Sequence, residues 1–361
     1  MQKYKKTVSF SKNLYAYNKE NIMSEAKIRA IDANLQVIKS GDGAILASPG
    51  LQGRILCTLN GELLHKLDYD LAENPSPTDF NNLGGNSLWP APEGGAFAYN
   101  YPPGGDWYVQ EGINKTQNRV IESGKGFLVI GKEFELLNRK GNTLKVTLRR
   151  RIETAESENF GVKALRYHTF ETLTLAEPCP LTEGVISAWS LEQLPGADGI
   201  VGFGKCARGA EKGINTDFYG DPLVRMSFKG EWFRFDLGGP NRLQIGISST
   251  AEPEFIGSFD PSRGVAVLRR TPARNDGKYI NFADNDQKNG AFSAADQFSI
   301  FNGSEELDFH ELETLAPMTL DGNGAVTGSE LESDTLILMG ENEKIIEILT
   351  GRFGVPAEFF C

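Results

Sequence analysis

Apolar and polar residues alternate along this chain in short runs. Residues 145–151 (KVTLRRR), 233–237 (FRFDL), 242–248 (RLQIGIS), 264–270 (GVAVLRR) and 334–339 (DTLILM) each read as a β-strand bounded by Gly, Asn, Asp or Pro. Helical periodicity is rare. Its clearest instance is Ile345, Ile346, Leu349 and Phe353, which predicts an amphipathic helix over 343–353 near the C-terminus. A shorter helix is expected between residues 19 and 31. No fixed-period repeat is visible, which disfavours propellers and solenoids. Many strands without a βαβ rhythm predict an all-β fold, a large antiparallel sandwich with few short helices.

Composition narrows the function more than the fold. The 40 glycines and 17 prolines supply the turns such a sandwich needs, and 361 residues can bury a core without disulfides or structural metals. A formal net charge of -11 argues against nucleic acid and against anionic membranes, leaving a neutral or modestly charged small ligand. Cys57, Cys179, Cys206 and Cys361 are scattered, with no C-x-x-C pair, so neither a disulfide framework nor a thiolate metal cluster is expected. The N-terminus has early lysines but no apolar stretch behind them, so it reads as neither signal peptide nor membrane span. A cytoplasmic location is expected, or a periplasmic one if a leader has been trimmed. No metal and no cofactor is expected. The three histidines, His65, His168 and His310, match no zinc spacing. Residues 284–290 (DNDQKNG) resemble the start of a calcium loop, but Ala295 stands where the closing Glu belongs, so a turn is expected.

Three segments hold the candidate chemistry. Residues 80–107 (FNNLGGNSLWPAPEGGAFAYNYPPGGDW) form a Gly-, Pro- and Trp-rich stretch of the kind that makes functional loops. Sugars offer C–H faces to aromatic rings and hydroxyls to carboxylates and amides, a demand that Asn86, Trp89, Glu93 and Trp107 match. The plainer alternative has both tryptophans plugging the end of the sandwich and Glu93 capping a turn. Residues 308–317 (DFHELETLAP) read as a strand. Alternation puts Glu311 and Glu313 on one face and His310, Leu312 and Thr314 on the other, the carboxylates roughly 6–7 Å apart. Like charges that close push one pKa toward neutrality, where a carboxylate serves as general acid or base. The alternative is a solvated strand face or a salt bridge to Arg54, Arg150 or Arg269. The third segment, GKCARGAEKGINTDFYGDP, offers Lys205, Asn215, Asp217 and Tyr219 as polar residues lining the same cleft.

In order, FNNLGGNSLWPAPEGGAF, GVISAWSLEQLP, KGINTDFYGDP, LQIGISSTAEPEFIGSFDPSRGVAVL and FHELETLAP with the trailing DTLILMG resemble a bacterial family of unassigned role within the galactose mutarotase-like superfamily. The resemblance covers the chain from about Ala30 onward. It implies one β-supersandwich domain over 30–361, preceded by an N-terminal extension (1–29), with a concave face that holds a carbohydrate. It also implies that LET at 312–314 places an epimerase-type base at Glu313, and that ASPGLQGRI at 47–55 places a substrate-contacting arginine at Arg54. The sequence departs from the epimerases in the Gly-rich loop, where NLGGNSLW has Asn86 or Trp89 in place of an imidazole, and His168 in LRYHTFETLTL does not match the second epimerase histidine cleanly.

Two functions follow as expectations. In the first, a sugar is turned over by general acid–base chemistry: Glu313 is the base, Glu311 its pKa partner, His168 or Glu93 the acid, Arg54 a hydroxyl or carboxylate clamp and Trp89 the stacking platform. In the second, a non-catalytic module recognises the sugar through the same cleft. A phosphosugar calls for clustered Arg or Lys, which the alternating Arg149, Arg150 and Arg151 cannot supply together.

Overall fold

The computed structural model describes residues 24–274, 277–282 and 290–361. The predicted calcium-like turn, apart from Gly290, and the first part of the predicted helix over 19–31 lie outside the described residues. Two antiparallel sheets make up the body. Sheet I runs in space as β1 (Gln36–Ser40), β2 (Gly43–Ser48), β3 (Arg54–Leu59), β5 (Gly85–Ala91) and β10 (Ser187–Pro195). It continues through β19 (Phe309–Leu315), β18 (Asp296–Gly303), β15 (Arg242–Ser248) and β12 (Ile214–Asn215), with β4 (Glu62–Leu63) beside β3. Sheet II runs as β13 (Met226–Lys229), β14 (Trp232–Asp236), β11 (Val201–Cys206), β16 (Pro253–Asp260) and β17 (Val265–Arg270). It continues through β21 (Val326–Met339), β9 (Lys163–Cys179), β8 (Thr143–Thr154), β7 (Phe127–Leu137) and β6 (Arg119–Gly124), with β20 (Met318–Leu320) beside β21.

Short helices decorate this frame: α1 (Ser24–Ile31), α2 (Tyr69–Glu73), α3 (Glu111–Asn114), α4 (Ser304–Leu307) and α5 (Asn342–Gly351). No helix among the described residues is long and apolar enough to cross a membrane. The all-β sandwich expected from the alternation is the observed architecture, and each of the five short runs falls within or against an observed strand.

The core is layered. Between the sheets, Ile45, Ile55, Ile130, Tyr167, Phe233, Phe298 and Leu312 pack into one apolar cluster. Outside sheet II, α5 lays Ile345, Ile348 and Leu349 against Phe203, Phe255, Leu268 and Leu338. Outside the first strands of sheet I, Ile28 of α1 is buried among Leu35, Leu46, Leu51 and Leu56. That leaves the outer face of the later sheet I strands without a covering helix, and this is where a ligand can enter.

The interior also holds charge. Alternation points Arg150 of β8 inward, where its Nε donates to Glu171 at 2.6 Å and its guanidinium also bonds the Asn86 side-chain oxygen. Asn86 Nδ2 in turn donates to Glu192 at 2.6 Å. Glu192 further accepts from the Tyr167 hydroxyl at 2.7 Å, lies 2.6 Å from His65 Nε2, and has Arg269 Nε at 3.7 Å. Burial by itself pushes the Glu192 carboxyl up, yet His65 and Arg269 hold it at about 2. Arg150 and Arg269 thus pair with Glu171 and Glu192, not with the carboxylates of 308–317.

Candidate functional site

The outer face of sheet I is assembled by cross-strand register. Leu191 of β10 stands opposite Ser87 on β5 and Glu313 on β19, and Glu313 stands opposite Ser299 on β18. One step along, Gln193, Glu311, Phe301 and Gln244 form a second row across β10, β19, β18 and β15. A third row sets Trp89 opposite Trp189. Because side chains alternate along each strand, these residues share one face, and their neighbours Asn86, Glu192, His310 and Leu312 point into the sandwich. The double glycine of FNNLGGN lets β5 begin here. Gly84 has φ +84°, and a Cβ on it would lie 2.2 Å from the Lys66 carbonyl oxygen.

The result is a cleft of about 380 Å³, enough for a small ligand. Its aromatic wall is continuous. Phe80 meets Trp107 at 6.1 Å and Trp89 at 5.4 Å between ring centres, Trp89 meets Trp189 at 6.4 Å, and Trp189 meets Phe282 at 5.0 Å. Its polar lining is Arg54, Asn82, Ser87, Glu93, Tyr219, Arg242, Gln244, Glu311 and Glu313.

Two indoles orient two of the carboxylates. Trp189 Nε1 donates to Glu313 at 2.8 Å, and Trp107 Nε1 donates to Glu93 at 2.7 Å. Gln244 Nε2 reaches Glu313 at 3.4 Å and Ser299 Oγ at 3.0 Å, while Gln193 Nε2 donates to Glu311 at 3.0 Å. Glu313 is fully buried and Glu311 nearly so. Burial raises both. Glu311 reaches about 7, with Gln193 and Arg54 pulling it back and Glu93 pushing it further. Glu313 is pushed well above the usual carboxylate range by burial and then by the charge of Glu311, against the donors Trp189 and Ser299. The pair therefore holds a proton near neutrality, in a place where water is scarce. Among the described residues no group of three or more His, Cys, Asp or Glu side chains is arranged to hold a metal ion.

Of the residues singled out in the sequence, Arg54, Trp89, Glu93, Trp107, Tyr219, Glu311 and Glu313 meet in this cleft. Asn86 does not. It is fully buried on the other side of β5 and belongs to the interior network, because even-numbered positions of that strand face sheet II. His168 does not either. It sits on β9 of sheet II, with Nε2 3.2 Å from Asp334 Oδ1. Asp217 is exposed on the loop beyond β12 and is not part of the cleft lining, and Lys205 pairs with Glu254 on sheet II at 2.7 Å. Trp189, Arg242, Gln244 and Ser299 belong to the site without having been singled out. The alternation in GVISAWSLEQLP carried a signal for Trp189; the others become neighbours only through long-range pairing.

Comparison with known proteins agrees on architecture. No curated protein matches the sequence. The chain is similar to the solved Slr1438 protein of Synechocystis sp. PCC 6803, with 11% identity, 85% of this chain and 96% of that chain covered, and a TM-score of 0.50. That likeness is one of fold. Also similar are a putative aldose 1-epimerase from Escherichia coli K12 (12% identity, 85% and 99% covered, TM-score 0.48) and a galactose mutarotase-like protein from Lactobacillus casei (8%, 84% and 99%, TM-score 0.44). At the level of sequence, residues 25–358 match one family over nearly their whole length, and the chain belongs to it: the family of unknown function DUF6786.

Proposed function

We propose that this protein binds a carbohydrate in the aromatic cleft of sheet I and interconverts its anomers by general acid–base chemistry. The observation that carries the reading is the buried Glu311–Glu313 pair, both carboxyls raised by burial and Glu311 to about 7, inside a wall of indoles. Indole faces suit the C–H faces of a pyranose, and a carboxylate poised near neutral pH suits proton transfer. In the reaction an ionised carboxylate takes the proton of the anomeric hydroxyl. The bond from C1 to the ring oxygen breaks, its electron pair goes to that oxygen, and a protonated carboxyl supplies the proton there. Rotation about C1–C2 and the reverse steps give the other anomer. The family resemblance assigns the base to Glu313; when the proton of the pair sits on Glu311, Trp189 and Gln244 donate to the Glu313 carboxylate. Glu311 or Glu93 then serves as the acid.

A second reading, a sugar-recognition module without turnover, is favoured by one observation. All three histidines lie away from the cleft: His65 and His310 are buried between the sheets, and His168 is on sheet II. Saturation-exchange NMR on a panel of aldoses separates the two. Turnover predicts anomer exchange that the wild type accelerates and Glu313→Gln abolishes. Ligand line-broadening without acceleration, removed by Trp89→Ala, would establish the module instead.

A further inference from the structure

Arg54 is a buried cation whose protein partners leave it incomplete. It is 4% exposed and lines the cleft, yet among the described residues its only acceptor is Gln52 Oε1, at 3.2 Å from Nε and 2.7 Å from Nη2. No carboxylate lies within ion-pair distance of it among the described residues. Burial and the neighbouring Arg150 charge lower its pKa to about 10, which still leaves it charged at neutral pH. Burying an unpaired charge is costly, and such charges persist in proteins where something completes them. A second guanidinium lies at the rim of the same cleft. Arg242 stacks over the ring of Tyr219 at 3.7 Å and lies 5.2 Å from that of Phe301, again with no acid partner among the described residues. The cation–π contact with Tyr219 restrains this fork at the rim. Both cations are near enough to Glu311 to pull its pKa down.

We propose that the ligand of the cleft is an acidic sugar, whose carboxylate or phosphate is held by Arg54 and Arg242 while its ring lies on the indole wall; this rests on the carbohydrate reading above. Planar guanidinium forks match both oxyanions, each through paired charge-assisted hydrogen bonds. Arg54 and Arg242 both line the cleft and so bring it the positive charge that 149–151 cannot, since Arg150 faces the interior and its neighbours face the opposite surface of sheet II. An anion seated on these two residues also cancels the charges that restrain Glu311. Binding therefore takes up protons, and affinity is higher on the acid side of neutrality than on the alkaline side.

Calorimetric titration of the full chain with glucose, glucuronate, galacturonate, glucose 6-phosphate and inorganic phosphate tests this. The expected result is that an acidic sugar binds about tenfold or more tightly than glucose, the value of one charge-assisted contact. Arg242→Gln, an exposed position whose fold is checked by thermal unfolding, should bring that preference to within about threefold, and Arg54→Lys should weaken it. Whether the carboxylate or the phosphate sugars show the preference identifies the source of the anion. Equal binding of neutral and acidic sugars, or a preference untouched by both substitutions, overturns this inference and leaves the carbohydrate reading standing. Inorganic phosphate binding as tightly as glucose 6-phosphate overturns the carbohydrate reading and keeps the anion site. Binding by no member of the panel overturns both.

Discussion

Glu311 and Glu313 are chemically ordinary side chains in an unusual place, with alternation turning both outward and the surrounding rings then excluding water from them. The consequence can be measured without knowing the ligand. The folded state holds a proton on Glu311 up to about pH 7, whereas the unfolded chain releases it near 4.5. Between those values the folded state binds more protons, so its stability falls as pH rises, by on the order of 3 kcal/mol across the window. Glu311→Gln removes the share of this dependence that belongs to Glu311 and leaves that of Glu313. In urea unfolding, the variant should gain on the wild type as pH rises through that window; parallel stability curves would mean that Glu311 is not held protonated. The orientation of this pair was legible in DFHELETLAP, because period two alone sets it. Arg242, Gln244 and Ser299 were not legible as site residues, since nothing local says that β15 and β18 lie beside β19. Asn86 was misread for a related reason: a polar residue in a Gly-rich stretch looks like a loop contact until its strand is known to face Glu192 and Arg150.

On the scale of elements, the cleft depends on how β5 and β10 are held from behind. Each alternates a cleft residue with an anchored interior one: Ser87 and Trp89 with Asn86, Leu191 and Gln193 with Glu192. Fixing Glu192 among His65, Tyr167, Asn86 and Arg269 fixes the rotation of β10, and with it the indole of Trp189 that orients Glu313. Glu192→Ala leaves Arg269 buried without its counter-charge and should cost about 3–5 kcal/mol in chemical denaturation. A loss below about 1 kcal/mol, the range of surface pairs, would show that the network is not what holds these strands. The helix over 343–353 was legible almost to its ends, as α5 spans Asn342–Gly351, because its four apolar positions form one stripe. The long strands β9 and β21 were harder to read. Their outward positions are mixed, apolar at Ala164, Leu336 and Leu338 under α5 but polar at His168, Thr172 and Glu332, and their inward ones include Thr169, Glu171 and Ser333, so the apolar alternation that marks a strand is interrupted where interior hydrogen bonds replace it.

At the scale of the whole molecule, two sheets share an apolar core, one helix covers the back of sheet II, and another covers only the first strands of sheet I. The uncovered remainder becomes a cleft because the loops over 80–82 and 92–107 rise along its edge and bring Phe80, Glu93 and Trp107 over it. The four tryptophans report on this arrangement. Trp89, Trp107 and Trp189 line the cleft, whereas Trp232 packs against Phe255 on sheet II, 5.8 Å between ring centres. The most direct test of the central claim is a sugar titration followed through the four indole N–H signals of the nitrogen-15-labelled protein. A carbohydrate site predicts that Trp107 and Trp189, whose N–H groups bond Glu93 and Glu313, shift saturably together with Trp89, while Trp232 stays still. Silence from the three cleft indoles across neutral and acidic sugars, or movement of Trp232 alone, would contradict it.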